Sequence, residues 1–533
     1  MKKLPLGIQN FNKIINENCV YIDKTQYIYN LINLASYYFL SRPRRFGKSL
    51  LLDTINEVFR GNKELFKDLW IYNSGYAFPT HPVIRIDFAG ISSKSPEILE
   101  ESITSVLRKY YISEALEISD NYISDIFVTL IRQLYDKYQT GVVVLIDEYD
   151  KPILDHINNT EIADANRQVL RSLYGVLKSL DSFLKFTFVT GVSKFTKASI
   201  FSELNNLLDI TLMDDFANIC GVTMDDLDFY FDPYIKSLED LKHFKNIKSI
   251  KNEILTWYDG YSWDGNTRVI NPFSLLNFFI QKKFMNYWYK SGNPKFLFDL
   301  IKSKPESYLT LENLKLDECL FDVFEIHNLE IEPILFQTGY LTIKEILYEK
   351  ISPVYLLEIP NFEVKDSFNL QVLAALTNSG DVIARNAQSE IINALKTGQL
   401  AQLVNVLKRL FASIPYEIHV KKEAYYHSIF YALMKILGFD MDVEVSVSSG
   451  RVDAVIELEN NIYIFELKYI DTPIDACEDS KTKQIDNTLD DALEQIESKG
   501  YINKFINTDK DITCVALVFF DRDDIEMRLR KVE

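Results

Sequence analysis

Apolar positions fall into two α/β regions with a less regular stretch between them. Tyr37–Leu40 is an unbroken apolar and aromatic run, the pattern of a strand buried on both faces. Pro82–Phe88 alternates around apolar positions, Gly141–Asp150 is fully apolar before its acidic end, and Phe186–Gly191 is a further apolar run. Helix-length segments separate these runs, which predicts a largely parallel sheet covered by helices. Residues 213–280 hold an acidic run, MDDLDFYFD, helix-like segments and the aromatic turn WYDGYSW, whose Trp257, Tyr258 and Tyr261 are expected in the core. From 281 to 417 helical patches alternate with short apolar pieces, including a strand over Val354–Asn361 and a helical pair over 383–410 broken at Gly398–Leu400. Beyond Glu423 the pattern becomes helix, hairpin, strand and helix. Glu423–Gly438 carries an apolar stripe at helical spacing, Val443–Glu457 alternates about a Ser-Ser-Gly turn, and Asn461–Tyr469 is the next strand. A further helix is expected at 490–502. The chain thus divides into 1–212, 213–280, 281–417 and 418–533.

Composition narrows the class. At 533 residues the chain exceeds one ordinary core, and 47% hydrophobic with 25% charged residues describes a globular protein. No run reaches 18 apolar residues, and MKKLPLGIQNFNKII lacks a continuous apolar core, so neither a membrane span nor a secretory signal is expected. The five cysteines are scattered without metal or disulfide spacing, which predicts reduced thiols and a cytoplasmic location. A formal charge of -18 argues against a general nucleic-acid coat. It leaves room for a local basic channel, because field focusing depends on where the charges stand.

The first candidate chemistry follows the first strand. SRPRRFGKS, Ser41–Ser49, ends as a phosphate-binding loop should but has Arg42 where the usual pattern has glycine. Strand, loop and helix follow in the right order. Backbone N–H groups at the helix start, with Gly47, can cradle phosphates, Lys48 can reach the outer ones, and Ser49 can offer a hydroxyl to Mg²⁺. Pro43 biases Arg42 toward extended geometry, so glycine is not required there. Asp147 and Glu148 end the apolar third strand, where a metal-associated acid and a water-activating base belong; the competing reading is an acidic cap on a buried strand. Thr190 and Ser193 are candidate γ-phosphate sensors. Arg44 and Arg45 are candidate phosphate-binding or finger-like arginines, with solvent-facing loop arginines as the alternative.

The second candidate lies near the C-terminus. Glu466 and Lys468 are two apart on one strand and leave the same face, with Asp453 on the preceding strand. Two carboxylates beside a lysine suit metal-dependent phosphodiester hydrolysis: Asp453 and Glu466 to hold Mg²⁺, Lys468 to position water or stabilise developing charge. Glu423 can complete the metal shell, with His427 an accessory one turn along. A surface Glu-x-Lys ion pair is the competing reading.

Two resemblances join these sites. YIDKT (21–25), RPRRFGKS (42–49), LIDEYDKP (145–152), TGVSKF (190–195), FSELNNLLDITL (201–212), WYDGY (257–261) and NPFS (271–274) resemble the AAA-ATPase-like family of bacterial and archaeal proteins over about residues 5–280. The resemblance implies ATP as the nucleotide, a lid-like role for 213–280, and an arginine-rich loop in place of the glycine-rich one. Residues 418–525 resemble the PD-(D/E)XK nuclease superfamily, in the form fused to AAA-ATPase-like proteins. Asp453, Glu466 and Lys468 match its core residues, while Glu423, Gln495 and Tyr501 match flanking positions; Val452 replaces the usual proline. The implied protein is an α/β P-loop ATPase with helical lid and connector, joined to a nuclease-like domain that uses Mg²⁺ or Mn²⁺, with DNA as the favoured partner and a homo-oligomer as an option. The alternatives are a non-cleaving ATP-dependent switch that binds nucleic acid or protein, and a toxin or defence effector.

Overall fold

The apolar runs of the N-terminal half become strands of one parallel sheet: β1 (Tyr37–Ser41), β2 (Val83–Asp87), β3 (Val142–Asp147), β4 (Leu184–Gly191) and β5 (Leu208–Asp209), in the order β2-β3-β4-β1-β5. The computed structural model describes residues 1–118, 121–194, 206–245, 247–290, 314–317, 331–349, 352–377, 381–412, 442–447, 450–471, 478–498, 500–505, 508–520 and 524–532, with Tyr426, Phe430 and Met434. The chain folds into two compact units. One comprises Met1–Phe296 and Glu312–Val364, the other Leu297–Leu311 and Lys365–Glu533. The boundaries expected from sequence at 212, 280 and 417 fall inside these units.

In the first unit every residue of β1 and of β3 is buried, as strands covered on both faces require. β4 lies between β1 and β3, so the loop after β1 and the acids after β3 meet across one intervening strand at the C-terminal edge of the sheet. That edge is where open parallel sheets place ligands. The acidic run MDDLDFYFD proves to be the start of a helix, Met224–Glu239. Thr223 and Asp226 form a reciprocal cap there, and the first-turn acids complement the helix dipole. The motifs at 21–25 and 271–274 also have structural explanations. Lys24 pairs with Asp226 at 2.8 Å, and Asn271 caps the helix Pro272–Gln281, with proline at its first position. Gly260 in WYDGY has φ +115°, and a Cβ there would come within 2.0 Å of Pro360 O, so only glycine fits. Tyr258 and Tyr261 are buried as expected. A three-stranded antiparallel sheet, β6 (Lys315–Asp317), β7 (Thr342–Glu349) and β8 (Ser352–Glu358), has the order β6-β8-β7.

The second unit is built on β9 (Asp442–Val447), β10 (Gly450–Glu457), β11 (Asn461–Ile470), β12 (Asp511–Phe520) and β13 (Asp524–Lys531), ordered β13-β12-β11-β10-β9. Only β11 and β12 run parallel. On one face Ile462, Ile464 and Ile470 pack with Ile485, Leu489, Leu493 and Ile496 of the helix Glu478–Ser498. On the other, Phe430 meets Phe465, and Tyr426 stacks on Tyr469. The helical pair expected at 383–410 is present as Asp381–Thr397 and Leu400–Ala412. The helix expected at 490–502 starts earlier and ends sooner, at 478 and 498. Its first half is polar, with Ile485 and Leu489 as anchors, which hid it from a reading of apolar spacing. Among the described residues no helix is long and apolar enough to cross a membrane. Cys19, Cys220 and Cys514 are buried and free.

One buried acid gives the first unit a pH dependence. Glu363, 1% exposed, accepts from Ser274 Oγ and from the Trp288 backbone N–H, both at 2.6 Å. Burial pushes its carboxyl up to about 7, against the opposing pull of those hydrogen bonds. The unfolded chain ionises this group in the ordinary carboxylate range, so folding takes up a proton between that range and about pH 7, and stability falls as the pH rises through the window. Glu363→Gln should remove this slope in thermal denaturation from pH 5 to 8 and raise Tm at pH 8 by roughly 2 to 5 °C relative to wild type.

Candidate active sites

Arg42 explains the unusual loop. Its φ is not positive, whereas Arg45 (φ 69°) and Gly47 (φ 93°) take the left-handed conformation. The Arg42 side chain is completely buried. Its Nη1 donates to Ser41 O at 2.9 Å and Thr211 O at 2.8 Å, and its Nη2 to Phe216 O at 3.2 Å. The guanidinium lies 4.0 Å from the centroid of the Trp263 ring, a cation–π contact away from water. Burial draws its pKa down to about 10, which leaves it charged near neutrality. Glycine supplies freedom in the usual loop; here a buried cation ties the loop root to the strand-end segment 211–216. More aromatic contacts continue outward: Phe46 against Tyr261 and Trp263, the Arg45 guanidinium over Phe273, and Trp288 Nε1 donating to Arg44 O at 3.1 Å.

Gly47 begins the P-loop helix, Lys48–Phe59. Arg44, Arg45, Gly47, Lys48, Ser49 and Glu148 line a cleft of about 600 Å³, closed on other sides by residues 5–9 and the start of the 272–281 helix. That volume suits a small-molecule ligand. A recess of about 110 Å³ shares Gly47, Leu50 and Pro272 with the cleft and is lined largely by apolar groups, among them Val20, Ile22, Phe46 and Ile219. Lys48 Nζ donates to Arg42 O and Pro43 O, both at 2.9 Å, so the loop carbonyls hold the ammonium in the fold.

The acids after β3 have distinct surroundings. Asp147 is fully buried. Burial raises its pKa, while the Ser49 hydroxyl and Lys48 lower it; yet neither carboxylate oxygen completes a hydrogen bond of normal geometry among the described residues. Such an orphaned buried carboxylate beside a serine hydroxyl fits a hydrated divalent cation. Glu148 has φ 51°, an uncommon backbone for a non-glycine residue and one that clusters at functional sites. Burial raises its carboxyl, with Lys48 opposing and Asp147 reinforcing, which favours a proton acceptor.

The structure brings in residues the motif reading passed over. Asp150 accepts from the backbone N–H groups of Val192 (3.0 Å) and Ser193 (2.6 Å), and so shapes the end of β4. Asp87 lies in register with Asp147 across the β2–β3 pair. The strand-terminal placement of Asp87 and the repeated acids of DEYD were the available signals. Thr190, expected to sense a terminal phosphate, is buried, and its hydroxyl donates to Leu40 O at 2.8 Å. The Ser193 hydroxyl is buried and without a partner among the described residues.

In the second unit the β10–β11 register pairs Ala454 with Phe465, which places Asp453 opposite Glu466 one step further. Asp453 Oδ2 accepts the Leu467 backbone N–H at 2.7 Å. Glu466, 1% exposed, accepts at Oε1 from Lys468 Nζ at 2.8 Å and from Gln495 Nε2. The Glu-x-Lys pair is therefore half-buried and extends to the 478–498 helix, unlike a solvated surface ion pair. Asp453 and Glu466 are hard oxygen donors of the kind Mg²⁺ and Mn²⁺ use. Among the described residues no group of three potential metal ligands forms. Glu423, His427 and the Tyr501 side chain lie outside the described residues.

Comparison with known proteins agrees with both halves. Residues 5–201 match the family described as Predicted AAA-ATPase, and residues 421–527 match the PD-(D/E)XK nuclease superfamily. The chain is 36% identical over 530 residues to a protein of Azotobacter chroococcum mcd 1 described as an uncharacterized protein in the vnfD 5' region, across 98% of this chain and 97% of that protein. No solved structure matches it. With one relative aligned almost end to end and a family match in each half, the chain belongs to the AAA-ATPase-like proteins that carry a C-terminal domain of the PD-(D/E)XK nuclease superfamily.

Proposed function

We propose that the protein binds and hydrolyses ATP in the first unit and cleaves DNA phosphodiester bonds in the second. The observation that supports this most is that each unit sets a lysine by a buried carboxylate: Lys48 near Asp147, and Lys468 bonded to Glu466.

At the first site the loop N–H groups, Lys48, Arg44 and Arg45 bind the phosphates, and the apolar recess takes the adenine. Ser49 and Asp147 would hold Mg²⁺, which would supply charge neutralisation at the transferred group. Glu148 orients the attacking water and accepts its proton. Thr190 and Ser193 are the sensor candidates, with the Ser193 hydroxyl free of a partner among the described residues. At the second site Asp453 and Glu466, with Glu423, would hold Mg²⁺ or Mn²⁺, which supplies an acidified water and charge neutralisation. Lys468 orients the nucleophile and stabilises charge at the scissile phosphate. Gln495 fixes the Glu466 carboxylate from the helix, and His427 and Tyr501 are accessory. The protein acts in the cytoplasm, with homo-oligomerisation as part of the proposal. A second reading, an ATP-dependent switch that binds without cutting, draws support from the net charge of -18.

Three measurements test these assignments. Lys48→Ala should weaken ATP binding in calorimetric titration by at least about tenfold, the scale of one lost charge-assisted phosphate contact. Arg42→Gly restores the common loop residue, yet it should destabilise the protein by at least about 2 kcal/mol in denaturant unfolding, because buried carbonyls lose their donor. Labelled linear, nicked, single-stranded and structured DNAs, incubated in Mg²⁺ or Mn²⁺ with and without ATP, should be cut by wild type. Asp453→Ala should reduce cutting by at least about 100-fold. No cutting of any substrate by folded, ATP-binding wild type would favour the switch.

A further inference from the structure

We propose that Arg85 is a positioning residue for the ATPase site: it holds the Asp147 carboxylate aimed at the metal position and links that carboxylate to the P-loop helix. This rests on the nucleotide reading of the first unit.

Arg85 is the middle residue of β2, in register with Leu145 on β3, two residues before Asp147. Its backbone is fastened on both sides by one phenol. Arg85 N–H donates to Tyr110 Oη at 2.8 Å, and Tyr110 O–H donates to Arg85 O at 3.0 Å. The guanidinium divides its attention. Nη1 donates to Asp53 Oδ1 at 2.6 Å, while Nη2 stands 3.9 Å from Asp147 Oδ2. Asp53 belongs to the P-loop helix and is itself anchored by the Phe11 backbone N–H at 2.6 Å and Asn10 Nδ2 at 3.2 Å. A carboxylate, a guanidinium and a second carboxylate thus run from the helix that starts at Lys48 to the strand that ends in Asp147.

The unequal distances carry the inference. Asp53 saturates one end of the fork, and its fixed position determines where Nη2 stands. At 3.9 Å, Nη2 attracts Asp147 by charge without consuming its lone pairs, and both Asp147 oxygens lack a hydrogen bond among the described residues. Arg85 Nε is likewise buried and without a hydrogen bond there. A closer, bidentate pair would satisfy the carboxylate and compete with a cation. With no arginine, Lys48 alone would oppose the charge of the buried anion beside Asp87 and Glu148. The observed spacing avoids both situations. It also makes the Asp147 position depend on the P-loop helix, so the two parts of the nucleotide site move as one.

The test measures nucleotide binding rather than turnover. Full-length protein is titrated with a fluorescent N-methylanthraniloyl ATP, once in EDTA and once in Mg²⁺, and the ratio of the two affinities is the metal-dependent gain. Asp147→Asn defines the gain remaining without the carboxylate. Arg85→Gln is expected to keep EDTA affinity within about twofold of wild type and to lose at least about fivefold of the gain, as for removal of a partly screened charge near 4 Å. Arg85→Lys retains a cation for Asp53 but cannot span both carboxylates, and its gain should be intermediate. A full wild-type gain in either variant overturns the proposal. Where Arg85→Gln loses EDTA binding through misfolding, the lysine variant decides: reduced gain supports the role and full gain rejects it. Wild type that binds no nucleotide in EDTA or Mg²⁺ rejects the nucleotide reading itself, and this inference with it.

Discussion

A single buried charge organises the nucleotide half of this protein. Arg42 has no exposed surface and, among the described residues, no carboxylate bonded to it; backbone carbonyls take both Nη groups and the Trp263 ring covers the guanidinium, while Nε has no hydrogen bond there. A desolvated guanidinium is costly unless most of its donors find acceptors, so the segments that supply acceptors to the two Nη groups must be held in place. That demand fixes the root of the phosphate loop relative to residues 211–216 and to the aromatic turn at 261–263. From this anchor the rest of the site follows. Gly47 turns the chain into the helix, Lys48 folds over the loop carbonyls, and Asp147 and Glu148 arrive across β4.

The C-terminal half depends on register. Because Asp453 lies opposite Glu466, the two carboxylates share a face, and a slip of one residue would send one of them to the opposite side. The faces are not equivalent. The even-numbered residues of β11 turn toward the 478–498 helix, and its Gln495 reaches Glu466. The odd-numbered Phe465 and Tyr469 turn toward Phe430 and Tyr426. The polar cluster is therefore set into an otherwise apolar face, where partner positions are constrained and solvent screening is weak.

Much of this was legible because it is local. β1 to β4 announce themselves as apolar runs, and Gly47–Ser49, Asp147–Glu148 and Glu466-x-Lys468 are contiguous. What escaped was made by juxtaposition. Asp87 and Arg85 gain meaning only when β2 is laid beside β3, and no spacing along the chain places Asp53 near either. β5, two residues long, carries too little pattern to read. β12 and β13 were not separated as strands, although Cys514–Phe520 is apolar throughout. The bond from the Thr190 hydroxyl to Leu40 O was not legible, because a strand-end hydroxyl looks alike in sequence whether or not it bonds the next strand. Arg42 looked like a missing glycine, since two of its three acceptors, Thr211 O and Phe216 O, are far away in sequence.

That separation bears on the order in which the site comes into being. The loop is written near the start of the chain, but its partners at Thr211, Phe216 and Trp288 lie 169, 174 and 244 residues further on. During synthesis the ribosome must release most of the first unit before Arg42 meets its acceptors, and later still before the Trp288 indole reaches Arg44 O. Until then the nascent chain carries the phosphate-loop sequence without the loop's final shape. Completion of the nucleotide site is thereby tied to completion of the unit that surrounds it.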